Sequence, residues 1–346
     1  MSAKLGIDVL TDSGFSAIAG RKVALICNQS SVNSQYEYSL DVLIKGQQEG
    51  VYEICCVFGP QHGIWGQQQD NMIEWEGYQD PRTGLQFHSL YGEHREPTDA
   101  MLDGVETIVF DVQDVGSRYY TFIWTLFLSM KAAERLGIKV VVLDRPNPIG
   151  DTVEGTVLDP AFASFVGLAT LPMRHGLTAG EIATLFKSVY YPNCELEVVQ
   201  LNGWKRDTYL DECSLPWTMP SPNMPTVETA VVYPGMCLLE GTNLSEGRGT
   251  TKPFEIFGAP FIDGFKLSHD LNNLGLPGVT FRPYQFEPTF QKHAEQACQG
   301  AHIHVTDRSK FKPVMATVAA LREIRRQCPQ DFKWLDPPYE YEEILL

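Results

Sequence analysis

Apolar runs that end in polar clusters recur through the first half of the chain. KVALICNQSS (22–31), YEICCVFGPQHG (52–63), ETIVFDVQDVGSRYY (106–120) and KVVVLDRPNP (139–148) are each β-branched and continuous rather than alternating. Such runs fit strands covered on both faces, as in a parallel sheet. Between them the pattern predicts helices, one in YEYSLDVLIKGQQEG (36–50) and a longer one in YYTFIWTLFLSMKAAERLG (119–137). The longer segment is apolar nearly all round at first and amphipathic later, with Lys131 and Arg135 near its end and Gly137 as its stop. Strands alternating with helices predict an α/β fold built on a Rossmann-like parallel sheet. Ligands of such sheets bind outside the carboxyl ends of the strands, so the four polar clusters are expected along one edge.

The rhythm changes at PWTMPSPNMPT (216–226), where four prolines oppose both helix and interior strand. Beyond it come the loop-like EGTNLSEGRGT (240–250), a Gly/Pro-spaced segment, a strand in GAHIHVTD (300–307) and an amphipathic helix in PVMATVAALREIRRQC (313–328). The division expected is a Rossmann-like N-terminal domain, 1–225, and a smaller α+β domain, 226–346, with an active-site cleft between them.

Charge narrows the partners. With 27 Lys and Arg against 43 Asp and Glu the net charge is −16, which opposes nucleic acid and anionic membrane. No apolar run approaches the roughly 20 residues of a membrane span. The opening MSAKLGIDVLTDSGF lacks the apolar core of an export signal, so a cytoplasmic location is expected. Eight cysteines without CxxC or zinc-type spacing read as reduced packing thiols.

Several chemistries lack their signatures. No Walker pattern occurs, and the turn after the first strand reads CNQSSVNS rather than a dinucleotide-binding glycine motif. HExxH and G-x-S-x-G are missing, and His302 and His304 form a pair without an evident third ligand. Neither a cofactor nor a metal is expected. Carboxylates remain: Asp111 and Asp114 after the third strand, Asp144 after the fourth, Glu240 and Glu246 in the later loop. Glycoside hydrolysis needs one carboxyl to protonate the leaving oxygen and a second to activate water or attack the anomeric carbon. Packing roles compete for each, with Asp111 and Asp144 bonding backbone amides and Glu240 pairing an arginine. Arg118, Arg145, Arg174 and Arg248 lie in or beside these clusters, and the guanidinium fork suits a small anionic substrate.

The motifs GPQHGIWG, SLYG, DVQDVGSRYYTFIWT, LDRPNPIG, VEGTVLDPAFASFVGL, LPMRHGLTAGEIA, PSPNMPT, YPGMCLLEGTNLSEGRGTTKPFEIFGAP and GAHIHVTD together resemble the bacterial exo-β-N-acetylmuramidase family, formerly a domain of unknown function. The resemblance runs from about residue 5 to 335. It implies release of N-acetylmuramic acid, an anionic amino sugar, from the non-reducing end of peptidoglycan fragments. His62, Asp111, Asp114, Tyr119, His175, Glu240, Asn243 and Glu246 match motif positions. Most members read PEHG where this chain has Pro60-Gln61-His62-Gly63, and an amide cannot exchange a proton usefully near neutral pH. The acidic role is therefore expected elsewhere, with Glu246 as general acid, Asp114 as base or water-positioning carboxylate, and Glu74 as a further candidate. Asp111, His62 and His175 would orient them, and Arg118, Arg145 and Arg248 would hold the lactyl carboxylate. The scheme requires that Glu246 and Asp114 not be locked in separate ion pairs. The alternative is a sugar-acid binding protein with no turnover or altered chemistry.

Overall fold

The computed structural model describes residues 3–68 and 74–336. Its contacts divide the chain into two compact units. The first contains Met1–Thr152, Phe165–Leu168 and His175–Pro225, and the second Val153–Ser164, Ala169–Arg174 and Thr226–Leu346. The change at Pro225 falls where the proline-rich segment ends, but two stretches between 153 and 174, assigned by sequence to the N-terminal domain, belong to the second unit.

The α/β reading holds. The first unit contains strands β1 (Lys22–Cys27), β2 (Glu53–Gly59), β3 (Tyr78–Gln79), β4 (Gln86–Ser89), β5 (Thr107–Asp111) and β6 (Lys139–Leu143). The next two strands, β7 (Glu154–Val157) and β8 (Pro172–Arg174), form an antiparallel ribbon in the second unit, and β9 (Leu196–Val199) completes the first sheet. The sheet order is β3-β4-β2-β1-β5-β6-β9, parallel except for the short edge strand β3. Every residue of β5 is buried, and so is all of β1 and β6 beyond the first residue, which explains their unbroken apolar runs.

Helices α1 (Gly6–Asp12), α2 (Ser39–Gln48), α3 (Phe122–Leu136) and α4 (Ala179–Val189) belong to this unit. In α3 the residues Phe122–Met130 are all buried, and Gly137 ends the helix in the left-handed region at φ 69°. Its Trp124 and Phe127 pack on Phe186 of α4 at ring separations of 5.8 and 4.9 Å. Thr178 caps α4 in a reciprocal box with Glu181.

The second unit holds α5 (Val227–Met236), β10 (Ile256–Ala259), α6 (Gly264–Asn273), β11 (Val279–Phe286), β12 (Cys298–Val305) and α7 (Pro313–Gln327). Its three-stranded sheet is antiparallel in the order β10-β12-β11. No helix among the described residues is long and apolar enough to cross a membrane.

Candidate active site

Parallel pairing puts the residues after β1, β2, β5 and β6 on one edge of the first sheet. Asp111 ends β5 with no exposure, and Arg145 takes both its oxygens, Nε to Oδ1 at 2.6 Å and a terminal NH2 to Oδ2 at 2.9 Å. The same guanidinium donates to the Val32 carbonyl at 2.9 Å. Asp111 and Arg145 thus tie three strand-end loops together. Neither offers a substrate the open group expected from sequence. Asp144 accepts from the Gly180 amide at 2.8 Å and the Thr178 hydroxyl at 3.2 Å, so it anchors the start of α4. Burial raises its pKa to about 6, with those hydrogen bonds and that from the Arg145 amide pulling the other way.

Asp114 is bonded on one side only. Oδ2 accepts from the Gly116 amide at 2.6 Å and faces His175 Nε2 at 3.1 Å. His175 Nδ1 accepts from the Leu177 amide at 3.2 Å, which places the imidazole proton on Nε2, pointing at Asp114. Oδ1 is buried and accepts from no described residue. Gly116 allows this turn: its φ is 81°, and a Cβ there would lie 2.5 Å from Asn147 Oδ1.

The β2 loop adds His62 in the left-handed region at φ 71°, a conformation that costs a non-glycine residue energy and is common at functional sites. Its Nδ1 donates to the Gln68 carbonyl at 2.7 Å. Gln61 is buried, and its Oε1 accepts from Thr121 Oγ1 at 2.6 Å. Arg118 is buried and Tyr119 partly so; burial draws the Arg118 guanidinium pKa down from its ordinary value. Glu74 is exposed, 4.0 Å from Arg95.

In the second unit, the segment 240–250 is an ordered loop around one arginine. Arg248 donates to Glu240 Oε1 at 2.7 Å, lies 3.3 Å from Glu246 Oε1, and stacks 5.0 Å from the Phe254 ring. Burial works against its charge, but Glu240 and Glu246 outweigh it and raise its pKa. Glu246 is 2 % exposed. Lys292 Nζ lies 2.8 Å from Glu246 Oε2, although its well-directed bonds go to the carbonyls of Leu239 at 2.9 Å and Thr242 at 3.0 Å. A guanidinium and an ammonium flank the Glu246 carboxyl, although its buried Oε2 accepts no hydrogen bond from a described residue. The two cations make this an ion-paired setting, where the sequence led to the expectation of an uncommitted carboxyl. Asn243 spends its side chain on backbone, donating to Asp331 O at 2.8 Å and accepting from the Lys333 amide at 2.9 Å.

Sequence reasoning missed Lys292, Thr121 and the Leu177 amide. Thr121 and Leu177 lie inside the motifs DVQDVGSRYYTFIWT and LPMRHGLTAGEIA, but their residue types gave no chemical reason to single them out, and Lys292 lies outside every motif. His302 and His304 stand side by side, ring centroids 4.1 Å apart, and Arg282 approaches a nitrogen of each at 3.3 Å. No group of three metal-ligating side chains occurs among the described residues.

Two family models cover this chain: the N-terminal region of exo-beta-N-acetylmuramidase NamZ over residues 23–228 and the C-terminal region over residues 231–344. The chain belongs to the NamZ family. It is 45% identical over 331 residues to the peptidoglycan beta-N-acetylmuramidase NamZ of Bacillus subtilis (strain 168), covering 95% of this chain and 79% of that protein. Two crystal structures of DUF1343 family proteins from Bacteroides fragilis NCTC 9343 share the fold. One gives a TM-score of 0.87 at 33% identity, covering 96% of this chain and 86% of that one. The other gives 0.74 at 25% identity, covering 97% and 86%. As a NamZ-family protein this chain is a glycoside hydrolase of the exo-β-N-acetylmuramidase type.

Proposed function

We propose that this chain releases N-acetylmuramic acid from the non-reducing end of peptidoglycan-derived fragments, with Asp114 handling the proton or the water at the glycosidic bond. The one-sided hydrogen bonding of Asp114 carries this reading. Oδ2 already faces two N–H groups, so a proton on this carboxyl can ride only on Oδ1. Oδ1 is also the oxygen without a described partner, and a buried polar atom of that kind calls for one. Water or a substrate hydroxyl would supply it. His175, held in one tautomer, orients the carboxylate, and Glu246 positions Arg248 and Lys292 rather than giving up a proton.

General acid or base assistance contributes roughly 10²- to 10⁴-fold. Asp114→Asn should therefore lower kcat by at least about a hundredfold on a disaccharide with N-acetylmuramic acid at its non-reducing end, with native circular dichroism. A folded variant that keeps wild-type turnover removes Asp114 from the chemistry. Gln61 favours a second reading, because it puts an amide, bonded to Thr121, at the position where the family resemblance led to the expectation of a glutamate. An altered chemistry predicts a thermal shift with N-acetylmuramic acid and no release of that sugar from the disaccharide.

A further inference from the structure

We infer that Arg95 recognises the lactyl carboxylate and so selects muramic over other amino sugars. The inference rests on the substrate proposed above and concerns a residue outside the motifs discussed so far. Arg95 lies in the loop after β4. The carbon at its guanidinium centre is 5.0 Å from the Tyr91 ring and 4.7 Å from the Phe165 ring, both buried. The two rings are 5.9 Å apart and inclined at 39°, so together they form a platform for the cation. Among the described residues Arg95 donates no hydrogen bond. Its nearest carboxylate is that of Glu74, 4.0 Å away on a side chain that is 60% exposed. A guanidinium with its flat face on aromatic rings keeps its N–H edge for a planar anion, and the rings remove much of the rotational freedom that binding would otherwise cost.

Its neighbourhood is that of the β2 loop. The Trp75 amide donates to the Tyr91 carbonyl at 3.2 Å, and the Trp75 indole donates to the Pro60 carbonyl at 3.1 Å. Pro60 immediately precedes Gln61 and His62, so Trp75 links the backbone at Tyr91, which carries one ring of the platform, to the β2 loop. Two of the arginines expected to hold the lactyl group are already committed. Arg145 spends its fork on Asp111, and Arg248 lies between Glu240 and Glu246. An anionic guest at either would have to displace a short ion pair of 2.6 or 2.7 Å, whereas Glu74 stands 4.0 Å from Arg95 and is exposed.

The test is calorimetric binding of N-acetylmuramic acid and of its lactyl methyl ester to wild type, Arg95→Ala and Arg95→Lys. A charge-assisted pair lost at a part-exposed site corresponds to about a 10- to 100-fold change in Kd for the acid. Wild type should prefer the acid over the ester, the preference should collapse toward one in Arg95→Ala, and Arg95→Lys should recover part of it. Ester binding reports that each variant retains the site. An unchanged preference in both variants overturns the inference, and so does a wild type that binds neither compound. Binding without release of N-acetylmuramic acid from the disaccharide leaves it standing and removes the proposed function instead.

Discussion

Replacing Asp111 with asparagine separates a structural from a catalytic carboxylate. Asp111 is fully buried, Arg145 is 3 % exposed, and the two share a bidentate contact at 2.6 and 2.9 Å. Asparagine keeps the shape but leaves the guanidinium charge without its counter-ion in a dry setting. Removing one partner of a buried pair costs about 3–5 kcal/mol, and the amide oxygen retains one of the two hydrogen bonds, so about 3 kcal/mol is expected. For a domain of about 150–250 residues that corresponds to a fall in Tm of about 6–12 °C. Urea unfolding and calorimetry of the purified variant give both numbers. Arg145→Met alone should also destabilise, and the double variant Asp111→Asn/Arg145→Met should be more stable than the sum of the two losses implies, because the stranded charge is gone. Wild-type stability in Asp111→Asn combined with a loss of turnover would refute the structural assignment and return Asp111 to the reaction.

Asp144 makes stability depend on pH. Its folded pKa of about 6 lies above that of a free aspartate, so the folded state holds the proton more tightly. Its contribution is complete below about pH 4 and is lost as pH rises through about 6. Asp144→Asn should gain on wild type by on the order of 3 kcal/mol across that window; a difference in unfolding free energy that stays flat with pH contradicts this. Gly247→Ala should cost the second unit at least about 1 kcal/mol, because φ is 82° and the new Cβ would sit 2.7 Å from the Ile256 carbonyl oxygen and 2.8 Å from that of Lys252. Equal urea midpoints for variant and wild type would show that the loop adopts another conformation.

The sheet was legible because burial on both faces leaves a continuous apolar record, as in β1, β2, β5 and β6, and because a stop such as Gly137 has a local backbone cause. The common edge followed from chain order. The site was legible in residue type but not in pairing. Asp111 and Arg145 are 34 positions apart, Asp114 and His175 are 61 apart, and no periodicity connects them. Lys292 reaches Glu246 from a loop whose composition is unremarkable, so the sequence offered Glu246 as an acid without showing the two cations beside it. Asn243 read as a ligand for sugar because its neighbours are polar, yet its amide is spent on the chain at 331 and 333. The ribbon of β7 and β8 was invisible because four- and three-residue strands with mostly exposed or half-buried side chains carry almost no pattern.

That ribbon governs how the polypeptide can assemble during synthesis. Glu154 of β7 accepts from the amide of Met315 in α7 at 3.0 Å, so a segment made early finds its partner only after some 160 further residues are added. Truncation after Pro225 would leave the ribbon on the fragment without that helix, and a product starting at Thr226 would lack the ribbon. The second unit thus draws on segments separated by residues 175–225, and it can close only after α7 has left the ribosome.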